Sequence, residues 1–110
     1  MRFKVHMLAF YEEGDKIRKV KVPCDAEKML NGEYTADKLL ELVFKYGQND
    51  FQPQQVYSVS VGDVIEMHEG LYYIVEAFGF KKISQGTLEM LKGMTREKRQ
   101  KWMMENCYGT

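Results

Sequence analysis

The polar residues with the best spacing for chemistry lie in segment 58–63, which reads Ser-Val-Ser-Val-Gly-Asp. Ser58, Ser60 and Asp63 would form a polar site if their side chains converged. A serine nucleophile needs an adjacent base, and the spacing places no histidine or lysine beside these residues. The alternative is structural: Gly62 adopts a backbone angle that other residues avoid, and the Asp63 carboxylate accepts backbone N–H groups in the turn. The pattern favours the structural interpretation.

Carboxylates are frequent in this region, at Asp50, Asp63, Glu66, Glu69 and Glu76. Hard cations need several oxygens converging on one point, whereas Glu66 and Glu76 alternate with apolar neighbours, as on a solvated sheet face. The two histidines, His6 and His68, have no thiol or carboxylate at a recognisable ligand spacing. We therefore predict a non-enzymatic protein with no catalytic residue, no metal and no cofactor.

The elements that must position these residues are strands around a central helix. Residues 3–9 alternate in polarity, and a second strand at 17–22 completes an opening hairpin. Four further strand-like stretches follow the helix as a meander: 56–61, 64–67, 71–77 and 80–83. These patterns predict an α+β fold, in which an antiparallel sheet of about five to six strands packs on the central helix and a C-terminal helix follows.

Capping residues mark the helices. Thr35 is an N-cap for a helix over 36–46, and Gly47 supplies a left-handed stop. Apolar residues cover most of this helix's circumference, so it belongs in the core. Thr95 caps a second helix from 96 to about 106. We divide the chain into an α+β domain at 1–83 and a C-terminal helical extension at 84–110.

The C-terminal segment differs from the rest in charge. Residues 81–110 carry seven Lys and Arg against three Asp and Glu, while residues 1–80 carry nine against thirteen. In one interpretation the apolar residues of the segment fold back on the domain and the cations are a solvated face. In the other they form an adaptable anchor, flanked by cations, for a partner. The predicted partner-binding residues are Arg96, Lys98, Arg99, Lys101, Trp102 and Met103.

Aromatic residues of the meander are predicted to serve the core. Phe78 and Phe80 flank Gly79, and we expect both rings to point inward rather than to form an exposed stacking platform. Tyr72 and Tyr73 point to opposite faces of their strand, so one is expected to be buried and the other exposed.

Composition limits the classes of protein. Hydrophobic residues make up 45% and charged residues 29% of the 110 residues, which is typical of one soluble globular domain. The net charge of zero excludes attraction of the whole molecule to nucleic acid. No apolar run approaches the roughly 18 residues of a membrane span, and no signal peptide pattern opens the chain. Cys24 and Cys107 are far apart, and we expect reduced thiols in a cytoplasmic protein.

Three motifs resemble a known family: Asn49-Asp50-Phe51, the run Ser-Val-Ser-Val-Gly-Asp-Val-Ile at 58–65, and Tyr72-Tyr73 followed by Phe78-Gly79-Phe80. Together they are similar to the YodL-like domain of small phage and mobile-element proteins. The resemblance covers roughly residues 35–83 and, more loosely, the N-terminal hairpin, and it does not extend to 84–110. It implies a mobile-element accessory protein working inside a bacterial cell. The family has no established biochemical activity, so the resemblance implies none for this chain.

The functional expectation is therefore an accessory protein that binds a host macromolecule and acts by occlusion. A defence effector is one target, which would make the protein an anti-CRISPR or antirestriction type of inhibitor. The alternative is a nucleic-acid-binding protein that uses the basic C-terminal helix. The charge asymmetry between residues 1–80 and 81–110 also suits a homodimer.

Overall fold

A computed structural model describes residues 2–23, 32, 34–48, 58–67 and 70–107. Their elements, in chain order, are β1 (Arg2–His6), β2 (Ile17–Lys21), α1 (Ala36–Tyr46), β3 (Val64–Glu66), β4 (Tyr72–Glu76), β5 (Gly79–Ile83), α2 (Gln85–Lys92) and α3 (Arg96–Asn106). The predicted α+β class, the opening hairpin and the C-terminal helix are confirmed. Cys24 and residues 49–57, with the Asn49–Phe51 motif, lie outside the described residues.

The five strands form one antiparallel sheet in the order β2-β1-β3-β4-β5. Strand alternation gives the sheet two faces. Helix α1 packs on the first face, which β1 lines with Phe3 and Val5. Helices α2 and α3 pack on part of the second face, which β3 and β4 line with Val64 and Ile74. The sheet therefore lies between two helical layers, and each layer encloses its own core cluster.

Helix α1 begins where the sequence predicts. The Thr35 hydroxyl oxygen accepts the Lys38 N–H at 3.2 Å, and Asp37 stands in the first turn, where a negative charge suits the helix dipole. The left-handed stop at Gly47 is wrong, because its φ is −79°. Glycine is required there for space instead: a Cβ would lie 2.3 Å from the Val59 Cγ2 atom.

Residues 84–107 pack on the sheet. The buried residues Leu88, Leu91 and Met103 join the second core cluster, with Leu8 beneath them. The backbone of the loop before β2 lies close to the end of α2, since a Cβ on Gly14 would lie 1.9 Å from the Lys92 carbonyl oxygen.

Three details of the meander differ from the sequence predictions. Residues 58–61 are not a strand; Val59 is buried in the first core cluster, and its N–H donates to the Gly47 carbonyl at 3.1 Å. Phe78 is fully exposed at the β4–β5 turn, so only the Phe80 ring packs inward. Tyr72 and Tyr73 are both half-buried, because each face of the sheet carries a helical layer.

Candidate functional site

Asp63 joins two loops at one end of the sheet. Its carboxylate accepts the N–H of Ala9 at 2.8 Å and the N–H of Ser60 at 2.9 Å. The side chain is completely buried, and this burial raises the pKa of Asp63 to about 6. Backbone hydrogen bonds from Ala9, Ser60 and Leu8 and the charge of Arg18 act in the opposite direction. Gly62 has a φ of +101°, a left-handed conformation that favours glycine. The predicted structural role of the turn is confirmed.

Arg99 joins the same region to helix α3. It is 4% exposed, and its guanidinium donates to the backbone carbonyls of Leu8 at 2.9 Å and Met94 at 2.7 Å. It also donates to the carbonyls of Tyr11 and Glu12. Burial lowers the pKa of Arg99, and the Glu12 carboxylate opposes this effect. The loop after β1 is therefore held from two sides, by a buried carboxylate and a buried guanidinium.

The six predicted partner-binding residues separate into three environments. Arg99 and Met103 are buried, and each reaches the surface only where it lines the groove described below. Trp102 is half-buried against the second core cluster. Lys98 and Lys101 are exposed. The half-buried Arg96 has its guanidinium 5.6 Å from the centroid of the Phe10 ring, as in a cation–π contact, and its Nε donates to the Ala9 carbonyl at 3.1 Å.

A groove of about 320 Å³ lies between the loop after β1, the turn before β3 and helix α3. Buried Leu8 and Met103 line the groove, together with the buried Arg99. Three exposed apolar side chains also line it: Phe10, Val61 and Met104. A cavity of this size and composition accommodates one large apolar side chain.

A second groove of about 330 Å³ shares Val61 with the first. It runs between helix α1 and the β4–β5 turn, and it is lined by Phe44, Phe78 and Phe80 among others. The two grooves therefore form one surface, and we call its four exposed apolar residues the apolar end: Phe10, Val61, Phe78 and Met104. Their exposed fractions are 41%, 38%, 103% and 67%, so each side chain presents substantial apolar area to solvent.

None of these four residues was among the predicted site residues. Three of them belong to turns or to the loop after β1, and a turn position does not reveal whether a side chain folds inward. Met104 follows the predicted anchor directly. The sequence does not show which of the adjacent methionines, Met103 or Met104, is exposed, because the orientation of α3 on the sheet decides which of them faces the core. One sequence pattern does point to exposed apolar side chains: an apolar residue directly before a turn glycine, as at Val61-Gly62 and Phe78-Gly79.

A histidine and a carboxylate meet elsewhere on the sheet. His6 Nε2 lies 3.1 Å from Glu66 Oε1, and His6 is buried at 4% exposure while Glu66 is partly open to solvent.

Within the part of the chain that the structure describes, no group of three or more His, Cys, Asp or Glu side chains could hold a metal ion. Across those same ranges, no helix has the length and apolar character needed to span a bilayer.

Comparison of the chain with protein-family models, with curated proteins and with solved structures gave no match.

Proposed function

We propose that this chain is a non-enzymatic binding protein, which acts by stoichiometric contact with a partner protein through the apolar end. The main support for this proposal is that four exposed apolar side chains line two adjoining grooves. Contiguous apolar surface is costly to leave in water, and on small soluble domains it marks sites of interaction. The loops that present Phe10 and Val61 are held by Asp63 and Arg99, so this surface is organised before a partner arrives.

The grooves and their surroundings define the chemistry of the partner. An aromatic or long aliphatic side chain would enter the 320 Å³ groove above Leu8 and Met103. Arg96 and the exposed Lys101 lie along the same helix as Met104. A partner with acidic residues beside its apolar anchor is favoured, since those charges steer the encounter and fix the orientation of the complex.

The resemblance to YodL-like domains supports a more specific proposal for the origin of the protein and the class of its partner. It favours a phage or mobile-element accessory protein in the bacterial cytoplasm, with a host macromolecule as its partner. A defence effector, such as a CRISPR effector or a restriction enzyme, is the target that this origin suggests. Occlusion by the apolar end would then be the mechanism of inhibition.

Affinity purification from bacterial cells tests this proposal when it compares matched variants. We expect Met104→Glu and Val61→Glu to lose a co-purifying protein that the unaltered chain retains, because each places a carboxylate in the groove. Met90→Glu is the control: Met90 is similarly exposed, at 42%, but lies outside both grooves. The partner, once purified, should bind in a fixed ratio in calorimetric titration.

Two results would contradict the proposal. One is retention of every co-purifying protein by both groove variants. The other is equal loss of partner by Met90→Glu, which would indicate non-specific adhesion. Light scattering after size exclusion adds a further distinction: a dimer that Met104→Glu dissociates would identify a second copy of this chain as the partner.

A further inference from the structure

Four cations form a ladder on the second face of the sheet, on strands β1 and β2. The strand register pairs Arg2 with Lys21 and Lys4 with Lys19. Residues directly opposite each other in an antiparallel pair project from the same face, and all four side chains are exposed. This basic ladder lies toward the N-terminal end of β1, whereas the apolar end lies beyond the C-terminal end of that strand.

The charges of the ladder do not stabilise the strand pair. Like charges directly opposite each other destabilise a strand pair. Within the described ranges, none of the four cations is in an ion pair with a carboxylate. The nearest carboxylate in register is that of Glu66, which stands opposite Lys4 and is in contact with His6. A bound polyanion would relieve the repulsion that the fold leaves in place.

The spacing of the cations favours a polymer with regularly repeated anions. Residues two apart on a strand are separated by about 6.6 to 6.8 Å, and the strand pair adds a second row about 5 Å away. Phosphodiester groups recur at every nucleotide along a nucleic acid strand, whereas the carboxylates of an acidic protein segment have no fixed repeat. A sheet face with two parallel rows of cations therefore suits the backbone of a nucleic acid.

A cleft of about 310 Å³ adjoins the ladder. Arg2 and Lys4 line it together with Tyr72 and Glu66. Tyr72 packs on the second core cluster and lies edge-on to the His6 ring, and its remaining exposed surface lines the cleft, where a base can stack on it. One oxygen of Glu66 faces His6 at 3.1 Å, which leaves its second oxygen to accept a hydrogen bond from an exocyclic amino group.

We propose that the basic ladder and this cleft bind single-stranded nucleic acid. Phosphates contact Arg2, Lys4, Lys19 and Lys21, and an amino-bearing base such as cytosine enters the cleft between Tyr72 and Glu66. This site is separate from the apolar end, and it does not use the C-terminal helix. It therefore goes beyond the proposed protein-binding function and is tested independently of it.

Fluorescence anisotropy with labelled twelve-nucleotide oligo-dC and oligo-rC tests the phosphate contacts. We expect Lys19→Glu/Lys21→Glu to weaken binding by about tenfold or more and to reduce the salt slope of log Kd by about 1.4, which is the value for two lost phosphate contacts on a single strand. Lys38→Glu/Lys45→Glu makes the same charge change on α1, and Lys98→Glu/Lys101→Glu makes it on α3. Both controls should retain most of the affinity and all of the salt slope.

The cleft is tested by base preference. Oligo-dC should bind about fivefold more tightly than oligo-dT, since thymine presents no exocyclic amino group to Glu66. Glu66→Gln should bring the ratio of the two affinities close to one, because an amide both donates and accepts. Thermal melting of each variant verifies that the fold is retained.

Several results would overturn the inference. The first is the absence of oligonucleotide binding by the unaltered chain at low salt. The second is an equal loss of affinity in all three charge-reversal variants, or a loss confined to the α3 variant. The third is displacement of oligo-dC, at matched charge, by poly-glutamate or by vesicles of phosphatidylserine and phosphatidylcholine. The fourth is an equal affinity of the unaltered chain for oligo-dC and oligo-dT.

Discussion

The carboxylate of Asp63 accepts the backbone N–H of Ala9 at 2.8 Å, across 54 residues of sequence. Its other oxygen accepts the Ser60 N–H at 2.9 Å within the adjoining turn. One buried side chain thus fixes the loop that carries Phe10 against the turn that carries Val61. The geometry of the apolar end depends on a residue that is itself inaccessible.

Replacement of Asp63 by alanine should lower the free energy of unfolding by about 2 to 4 kcal/mol, since it leaves the part-buried N–H groups of Ala9 and Ser60 without their acceptor. Urea denaturation measures the change. Asp15→Ala removes an exposed aspartate and is the matched control, for which a change within about 0.5 kcal/mol is expected. A stable Asp63→Ala protein with unchanged partner capture would show that the loops do not need this acceptor.

The stability of the fold should depend on pH through Asp63. Burial raises the pKa of this carboxyl from 3.8 to about 6, so the folded state holds the proton more tightly than the unfolded chain does. The resulting contribution to stability is complete below about pH 4 and is lost as the pH rises through about 6. At about 1.4 kcal/mol for each pKa unit, the whole contribution is as much as about 3 kcal/mol.

Asp63→Asn isolates this effect from the other carboxyl groups. The difference in unfolding free energy between the unaltered chain and this variant should fall as the pH rises from 4 to 7. Denaturation curves at several pH values measure it. Parallel pH profiles for the two proteins would show that Asp63 does not titrate differently in the folded state.

Arg99 and its neighbour Lys98 should differ sharply in their effects on stability. Arg99→Met removes the donor for four backbone carbonyls and should cost about 2 to 4 kcal/mol. Lys98→Met alters an exposed side chain and should change stability by less than about 0.5 kcal/mol. Arg99→Lys should be intermediate, because an ammonium lacks the planar fork of donors. Equal changes in the free energy of unfolding for Arg99→Met and Lys98→Met, measured by urea denaturation, would show that the buried Arg99 guanidinium does not stabilise the fold.

Trp102 and Met104 should separate stability from partner capture. Trp102→Ala removes a ring packed on the second core cluster and should cost about 1 to 3 kcal/mol. Met104→Ala truncates a side chain that is 67% exposed and should leave the melting temperature nearly unchanged while weakening partner capture. Thermal melting combined with pull-down distinguishes the two roles. A Trp102→Ala protein that melts normally but fails to capture a partner would make the tryptophan the anchor.

The sequence by itself determined the local structure. Thr35 and Thr95 mark the beginnings of their helices, because a side-chain oxygen at that position satisfies a backbone N–H that the helix leaves free. Alternation placed Phe3 and Val5 on one face of β1 and Lys4 and His6 on the other. The role of Asp63 in its turn also followed from local chemistry, since the Ser60 N–H is only three residues away.

Only the tertiary structure decided which cations and which apolar residues are accessible. Lys98, Arg99 and Lys101 lie in one charged run, but the docking of α3 turns Arg99 alone toward buried carbonyls and leaves the two lysines in water. The basic ladder likewise depends on the register that pairs Lys4 with Lys19, a contact between strands that no local pattern specifies. Periodicity assigns a side chain to a face, whereas long-range packing determines which part of that face is covered and which part remains free to bind.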